Sequence, residues 1–82
     1  MNDITIMFFA TLRQRAGVKA VQLTVPSTMD VGALKQQLGR DFPDLQSSLA
    51  TVLVAVNREY AFDEAIIPPN AEVALFPPVS GG

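Results

Sequence analysis

The sequence of 82 residues predicts a single α+β domain, in which a mixed β-sheet packs against one main helix. Several short segments alternate apolar and polar residues, a spacing typical of strands. Only residues 31–42 carry apolar residues at helical spacing along their full length. An apolar content of 49% favours a folded chain over a disordered one, and a chain of this length supports one core.

The first part of the chain is expected to form two strands separated by a short helix. Residues 3–9 form the first strand, and residues 19–25 form the second. Between them, residues 11–17 are expected to form a few helical turns, with Thr11 as the N-cap and Gly17 at the carboxyl end. The two strands can then pair with each other as a hairpin-like unit.

The main helix is predicted at residues 31–42. Asp30 is suited to accept a hydrogen bond from the first free backbone N–H groups, and Pro43 ends the helix. Apolar residues recur along one helix face, at Val31, Leu34, Leu38 and Phe42. Further strands are expected at 52–57, at a short edge segment 59–62, and at 72–76 after a turn at 68–70.

The order of these elements favours one topology. A single long helix can cover only one face of the sheet. A final strand beside the first would run parallel to it, with the helix in the crossover connection. This arrangement is the ubiquitin-like β-grasp roll. The expected domain covers residues 1–76, and residues 77–82 are expected to form an extended, flexible C-terminal tail.

Composition excludes most kinds of catalytic site. The chain has no cysteine and no histidine, so disulfides, thiolate nucleophiles, Cys/His zinc sites and imidazole bases are ruled out, and no metal site is expected. A net charge of −2 with six scattered basic residues argues against binding of nucleic acid. No apolar segment approaches the roughly 18 residues of a membrane span and no secretory signal opens the sequence. We therefore expect a soluble, cytoplasmic protein without a membrane partner.

The first and last strands are apolar on both faces. Met7 and Phe9 point away from the helix if the rest of the first strand packs under it, and Phe76 does the same on the last strand. Since no second long helix is available to cover them, these side chains predict an exposed apolar patch for a protein partner. Loops folded over the patch would be the alternative.

The C-terminal residues carry the sharpest functional signal. Pro77 and Pro78 cannot continue a strand ladder, and six extended residues reach about 20 Å. Gly81 and Gly82 have no side chains, so they can enter a narrow channel in another protein. A carboxylate on Gly82 becomes reactive once it is activated, for example as an acyl-adenylate made with ATP. Sulfur transfer would then give a thiocarboxylate, which supplies a sulfur nucleophile to a chain without cysteine.

Four segments, taken in order, span nearly the whole chain and resemble the small, sulfur-carrier subunits of molybdopterin synthase. They are MFFATLRQRAG at 7–17, the helix start Asp30-Val31 with Leu34, LVAVN at 53–57, and EVALFPPVSGG at 72–82. The FPPVSGG ending and the FFA-x-LR segment fit that family better than the thiamine sulfur carriers or the eukaryotic ubiquitins, which share the fold and the di-glycine. A thiamine-type sulfur carrier and a ubiquitin-like protein modifier are the alternatives.

The resemblance implies a sulfur-transfer cycle. An E1-like adenylyltransferase would use ATP to adenylate Gly82, and a sulfurtransferase would supply the sulfur, while the chain itself would bind no cofactor. The tail, with Val79, Ser80 and Gly81, would enter the large catalytic subunit and give sulfur to cyclic pyranopterin monophosphate. The product is molybdopterin, on the route to the molybdenum cofactor. Two small and two large subunits would form a heterotetramer, and the small subunit would not be catalytic alone.

The patch and the resemblance together give a set of expected partner-binding residues: Met7, Phe9, Arg13, Phe76, Pro77 and Pro78. Phe9 and Phe76 resemble the family's apolar contacts with partners. Arg13 matches the arginine that follows the first strand in that family, and a solvated charge on a short helix is its alternative role.

Overall fold

The computed structural model describes residues 1–78 of the chain. Its strands are β1 (Asn2–Phe8), β2 (Ala20–Val25), β3 (Leu53–Val56), β4 (Glu59–Tyr60) and β5 (Glu72–Phe76). Its helices are α1 (Thr11–Ala16), α2 (Val31–Asp41) and α3 (Gln46–Leu49), with a 3₁₀ turn at Pro43–Leu45. Across residues 1–78, no helix is long and apolar enough to cross a bilayer.

The strands form one mixed sheet in the order β2-β1-β5-β3-β4. β1 pairs antiparallel with β2 and parallel with β5, and β3 pairs antiparallel with both β5 and β4. The first and last strands are therefore parallel neighbours at the centre of the sheet, and the chain between them passes through α2. This is the β-grasp arrangement that the order of elements predicts.

The hydrophobic core lies between α2 and one face of the sheet. The buried residues of β1 and β5 on this face are Ile4, Ile6, Phe8, Val73 and Leu75, and α2 contributes Val31, Leu34 and Leu38. Phe42, the last residue of the predicted stripe, is half-buried just beyond α2 and meets the ring of Phe8 edge-on, with ring centroids 5.5 Å apart. The helical spacing thus identifies the core face of α2 correctly.

The two ends of α2 are set by different residues. Asp30 is the N-cap, as predicted, and its Oδ1 accepts a hydrogen bond from the backbone N–H of Ala33 at 2.7 Å. Satisfying one of the free N–H groups of the first turn favours a helix start at Val31. The helix ends at Asp41, and Pro43 begins the 3₁₀ turn that follows.

The prediction that Thr11 caps α1 is wrong. The N-cap residue is Ala10, whose side chain makes no capping hydrogen bond, and Thr11 is already helical. The carbonyl of Ala10 accepts the backbone N–H groups of Arg13 and Gln14 at 3.1 and 3.4 Å, so the first turn is closed by the main chain. Gly17 ends α1 with a φ of 80°, as its position after the helix predicts.

Most strand boundaries differ from their predictions by one or two residues. β1 ends at Phe8, and β4 comprises only the two residues Glu59–Tyr60. β5 has the predicted bounds. Pro77 and Pro78 follow β5 outside any strand, and the remainder of the expected tail, residues 79–82, lies outside the described residues.

Candidate functional site

A row of mostly small or apolar side chains crosses the outer face of the sheet, on the side opposite α2. The strand register pairs Ala20 with Met7, and Met7 with Ala74. Ala74 pairs in turn with Ala55, and Ala55 with Tyr60. Paired positions share a face of the sheet, so these side chains lie side by side across the strands. Met7 is half-buried on the face where the sequence places it.

Phe9 and Phe76 stack on each other at the end of the sheet where β5 finishes. Their ring centroids are 4.7 Å apart, and the ring planes are inclined by 16°. The backbone N–H of Phe9 donates to the carbonyl of Leu75 at 3.2 Å, which ties the residue after β1 to β5. Phe9 remains 39% exposed. The two phenylalanines predicted for one patch are thus in direct contact.

A sharp turn at Ala10 redirects the chain after Phe9. Its φ of 54° and ψ of −128° lie in a region that residues with a Cβ rarely occupy. The turn leads directly from the end of β1 into α1. Phe9 is therefore held between the hydrogen bond to Leu75 and a strained neighbouring residue.

A cavity of about 340 Å³ opens on the outer face beside Phe76. Ala55 and Ala74, each 8% exposed, form its floor because their side chains are the shortest among the residues that line it. The larger side chains of Met7, Tyr60 and Phe76 surround them. The remaining lining residues are Phe9, Arg58 and Glu72. We call this cavity the alanine slot.

Arg13 lies apart from the alanine slot. It is exposed on α1 and is not among the slot's lining residues. Pro77 is half-buried and Pro78 is exposed, immediately after Phe76. The other predicted site residues, Val79, Ser80, Gly81 and Gly82, lie outside the described residues. The structure therefore brings Met7, Phe9 and Phe76 to one surface, with the start of the predicted tail beside them.

Sequence analysis does not identify Tyr60 or Arg58 as part of this surface. The hairpin between β3 and β4 places them there: Asn57 and Arg58 have φ values of 51° and 71°, as in a two-residue hairpin turn. Tyr60 then pairs with Ala55 and is 77% exposed. The turn-prone Asn57-Arg58 pair is the one signal in the sequence for the face of Tyr60, because a two-residue turn fixes the register of the strands on either side.

The described residues hold few polar groups that are shielded from solvent. Between residues 1 and 78 no polar or charged residue is buried, and no three His, Cys, Asp or Glu side chains are close enough to hold a metal ion. An apolar face beside the end of a strand is suited to binding another protein.

Comparisons with known proteins match nearly the full chain. The sequence profile of the ThiS family matches residues 6–82. The molybdopterin synthase sulfur carrier subunit of Arabidopsis thaliana is 35% identical over 80 residues, which cover 98% of this chain and 83% of that protein.

Solved structures share the β-grasp fold and confirm that prediction. SAMP1 of Haloferax volcanii, the small archaeal modifier protein 1, is 30% identical with a TM-score of 0.87, over 99% of this chain and 100% of that one. A chain from the complex of subunits 1 and 2 of the molybdopterin-converting factor of Helicobacter pylori is 18% identical with a TM-score of 0.69. That match covers 98% of this chain and 99% of the other.

Proposed function

Because the chain belongs to the ThiS family, we propose that it is the sulfur carrier subunit of a molybdopterin synthase. The observation that carries the proposal is the 35% identity with the Arabidopsis thaliana subunit of that name, which extends over 98% of this chain. The family match continues through residue 82, so the di-glycine ending falls within it.

In the proposed cycle, Gly82 carries the sulfur on its terminal carboxyl group. An oxygen of the carboxylate attacks the α-phosphorus of ATP in an E1-like adenylyltransferase, and pyrophosphate leaves. The sulfurtransferase supplies sulfur at the oxidation level of sulfide. The hydrosulfide attacks the carbonyl carbon, AMP leaves, and loss of a proton gives the thiocarboxylate on Gly82. Each thiocarboxylate donates one sulfur to the cyclic pyranopterin monophosphate, and water restores the carboxylate of Gly82. Two such transfers supply the two sulfur atoms of the dithiolene in molybdopterin.

The catalytic groups belong to the large subunit in this proposal. The chain contains neither histidine nor cysteine, the usual residues for proton transfer and thiol chemistry near neutral pH. Its contribution is the terminal sulfur, delivered by a tail in which Val79, Ser80 and Gly81 thread into the partner. Two carriers and two large subunits form the enzyme. The matched Helicobacter pylori chain, of the same fold, is itself part of a two-subunit complex.

The outer face of the sheet is the proposed contact for the large subunit. Its apolar part consists of Met7, Phe9 and Phe76. The stacked rings of Phe9 and Phe76 lie at the end of β5, where the expected tail begins with Pro77. Pro77 and Pro78 direct the chain away from the sheet. Arg13, exposed on α1, contributes a charge at the margin of this contact.

Intact-mass analysis of the chain, purified together with its native partner, tests the proposal. We expect one oxygen to be replaced by sulfur in the fragment that contains Gly82, and we expect the sulfur to be lost when the large subunit and its pterin substrate are supplied. An unchanged mass in both sulfur-starved and sulfur-supplied cells would contradict the proposal.

A second candidate function is protein modification through Gly82. It is favoured by the 30% identity with the small archaeal modifier protein 1 of Haloferax volcanii over 99% of this chain. In this case a lysine amine attacks the activated carbonyl carbon and AMP leaves, which gives an isopeptide bond. The same mass experiment separates the two functions, because a modifier appears as a covalent adduct on lysines of other proteins.

A further inference from the structure

The alanine slot has the form of a socket for a side chain. Its floor is the cross-strand pair of Ala55 on β3 and Ala74 on β5, at the middle of the sheet. Larger side chains stand on both sides of this pair: Met7 on β1, Tyr60 on β4 and Phe76 at the end of β5. A small pair surrounded by large residues leaves a depression of about 340 Å³ on the outer face of the sheet.

The charges at the slot favour a neutral occupant. Arg58 and Glu72 both line it, and their charges are opposite. Among residues 1–78 the ion pair present is Lys35 with Asp63, so neither Arg58 nor Glu72 is paired there. Opposite charges on one rim give little net attraction for either sign, whereas burial of an apolar side chain on the Ala55 and Ala74 methyl groups is favourable.

The position of the slot indicates which protein supplies the occupant. Six residues follow Phe76, and fully extended they reach at most about 20 Å. A protein that encloses Gly82 must therefore lie within about 20 Å of the end of β5. Phe76 is both the last residue of β5 and a lining residue of the slot. The same partner then faces the slot.

We propose that the alanine slot receives one aliphatic side chain from the protein that houses the C-terminal tail. This inference rests on the proposed function, in which that protein is the large subunit. The inserted side chain contacts the methyl groups of Ala55 and Ala74 and fixes the partner's position on the sheet. The depth of the slot, and not only its apolar character, determines the affinity.

A socket for a side chain and a simple apolar patch predict different affinities once the slot is filled. Filling the slot with a larger aliphatic group adds apolar surface, so a patch that binds by area alone would bind as well as before or more tightly. A socket that must accept a side chain would bind more weakly, because the added group occupies the same space. Ala74→Leu on β5 and Ala55→Met on β3 each fill the slot.

A reversible chemical modification fills the slot in a chain that has already folded. The chain has no cysteine, so Ala74→Cys places a single thiol in the slot. The small cysteine leaves the slot open. A methanethiosulfonate reagent then adds a methylthio group through a disulfide and releases its sulfinate, and dithiothreitol removes the group again. These experiments use the carboxylate form of the chain, so that no terminal sulfur competes for the reagent.

Affinity for the large subunit is measured by calorimetry, with circular dichroism as the test of folding. We expect Ala74→Leu, Ala55→Met and methylthiolated Ala74→Cys to bind at least tenfold more weakly than the parent chain. Gln22→Leu, which adds an aliphatic group to the same sheet face away from the slot, should bind within about twofold of the parent chain. Methylthiolated Ala74→Cys is also compared with the unmodified Ala74→Cys chain, and dithiothreitol should restore the affinity of the unmodified chain.

Two outcomes overturn different claims. Folded, slot-filled chains that bind within twofold of the parent chain, or methylthiolation that leaves affinity unchanged, would refute the socket. If the parent chain itself does not bind the large subunit and never acquires sulfur, the proposed function fails instead. The intact mass of each variant is measured in parallel, to show that every chain still ends in Gly82.

Discussion

At Ala10 the backbone adopts φ 54° and ψ −128°, although the residue has a Cβ that makes this region costly. Nothing in the alanine side chain favours that turn. The neighbouring Phe9 imposes it, because its N–H is bonded to Leu75 and its ring is stacked on Phe76. The strain at Ala10 is thus a consequence of tertiary contacts made by the preceding residue.

Replacing Ala10 by glycine should stabilise the fold. We expect Ala10→Gly to raise the free energy of unfolding by about 1 kcal/mol, because the relief of backbone strain exceeds the added entropy of glycine in the unfolded chain. Urea unfolding measures the change. Ala33→Gly inside α2 is the matched control and should lose about 1 kcal/mol. Equal losses in the two variants would show that Ala10 is not strained.

Asp30 stabilises α2 through a single side-chain hydrogen bond, from the N–H of Ala33 at 2.7 Å. We expect Asp30→Ala to lower the free energy of unfolding by about 1 kcal/mol, since one N–H of the first turn loses its partner. Asp41→Ala, at the opposite end of the same helix, should have no effect or a small stabilising one, because an acidic group there opposes the helix dipole. Thermal unfolding measures the stability of both variants. Equal losses of stability in Asp30→Ala and Asp41→Ala would contradict the capping role.

These two residues show what local sequence can and cannot predict. The cap at Asp30 is predictable because its chemistry lies in one side chain and its own helix. The start of α1 is not, because Thr11 has suitable cap chemistry but the position of the turn is decided by the bonds of Phe9 to a strand more than 60 residues later.

At the level of elements, the parallel pair of β1 and β5 organises the contact surface. The register of Met7 with Ala74 places one residue of each strand on the outer face, and the Phe9–Phe76 stack closes the end of the pair. The core therefore stabilises the same two strands whose outer residues form the proposed partner contact. Substitutions on the inner face should mainly lower stability, and substitutions on the outer face should mainly weaken binding to the partner.

Phe76→Asp tests this separation. We expect binding to the large subunit to weaken at least about tenfold, since an aromatic residue at the centre of a contact is replaced by a charge. The loss of the stack should lower the free energy of unfolding by only about 1 kcal/mol. Calorimetry and urea unfolding measure the two effects on one preparation.

Phe62→Asp is the control for that experiment. Phe62 is 84% exposed, and it does not line the alanine slot. The same chemical change there should leave affinity within about twofold of the parent chain. Comparable losses for the two variants would mean that the contact surface is not centred on Phe76.

Alternation along strands was enough to predict the outward direction of Met7 and Phe76, because β1 and β5 are long and regular. It was not enough for Tyr60, which lies in a strand of two residues. Its face depends on the positive φ angles of Asn57 and Arg58, which fix the register of the hairpin. Arginine is an unusual residue at such a position, so the sequence gives only a weak signal for it.

In the whole molecule, the inner face of the sheet packs on the core and the outer face carries the proposed partner contact. α2 covers the inner face, and in the described residues the core extends from Ile4 to Leu75. The outer face keeps the alanine slot beside the end of β5. Element order was sufficient to predict this fold, because parallel first and last strands with one helix leave few topologies. The slot was not predictable, since it depends on which residues of four strands become neighbours.

Removal of Gly82 should affect chemistry and not folding. The described core residues all precede Phe76, so we expect the unfolding temperature of the chain lacking Gly82 to match that of the parent chain. The shortened chain should not gain sulfur, and it should not support formation of molybdopterin. A large fall in unfolding temperature would show that the terminus also contributes to the fold.

The central claim is that the carboxyl group of Gly82 is the working group of this protein. It is tested most directly by adding one alanine after Gly82 and following sulfur incorporation by intact mass, in a mixture with the activating enzyme, a sulfur donor and the large subunit. Mass analysis also confirms that the alanine is not trimmed. The account predicts a folded chain that binds the large subunit weakly or not at all, acquires no sulfur and yields no molybdopterin. Sulfur transfer by the untrimmed, extended chain at the normal rate would contradict it.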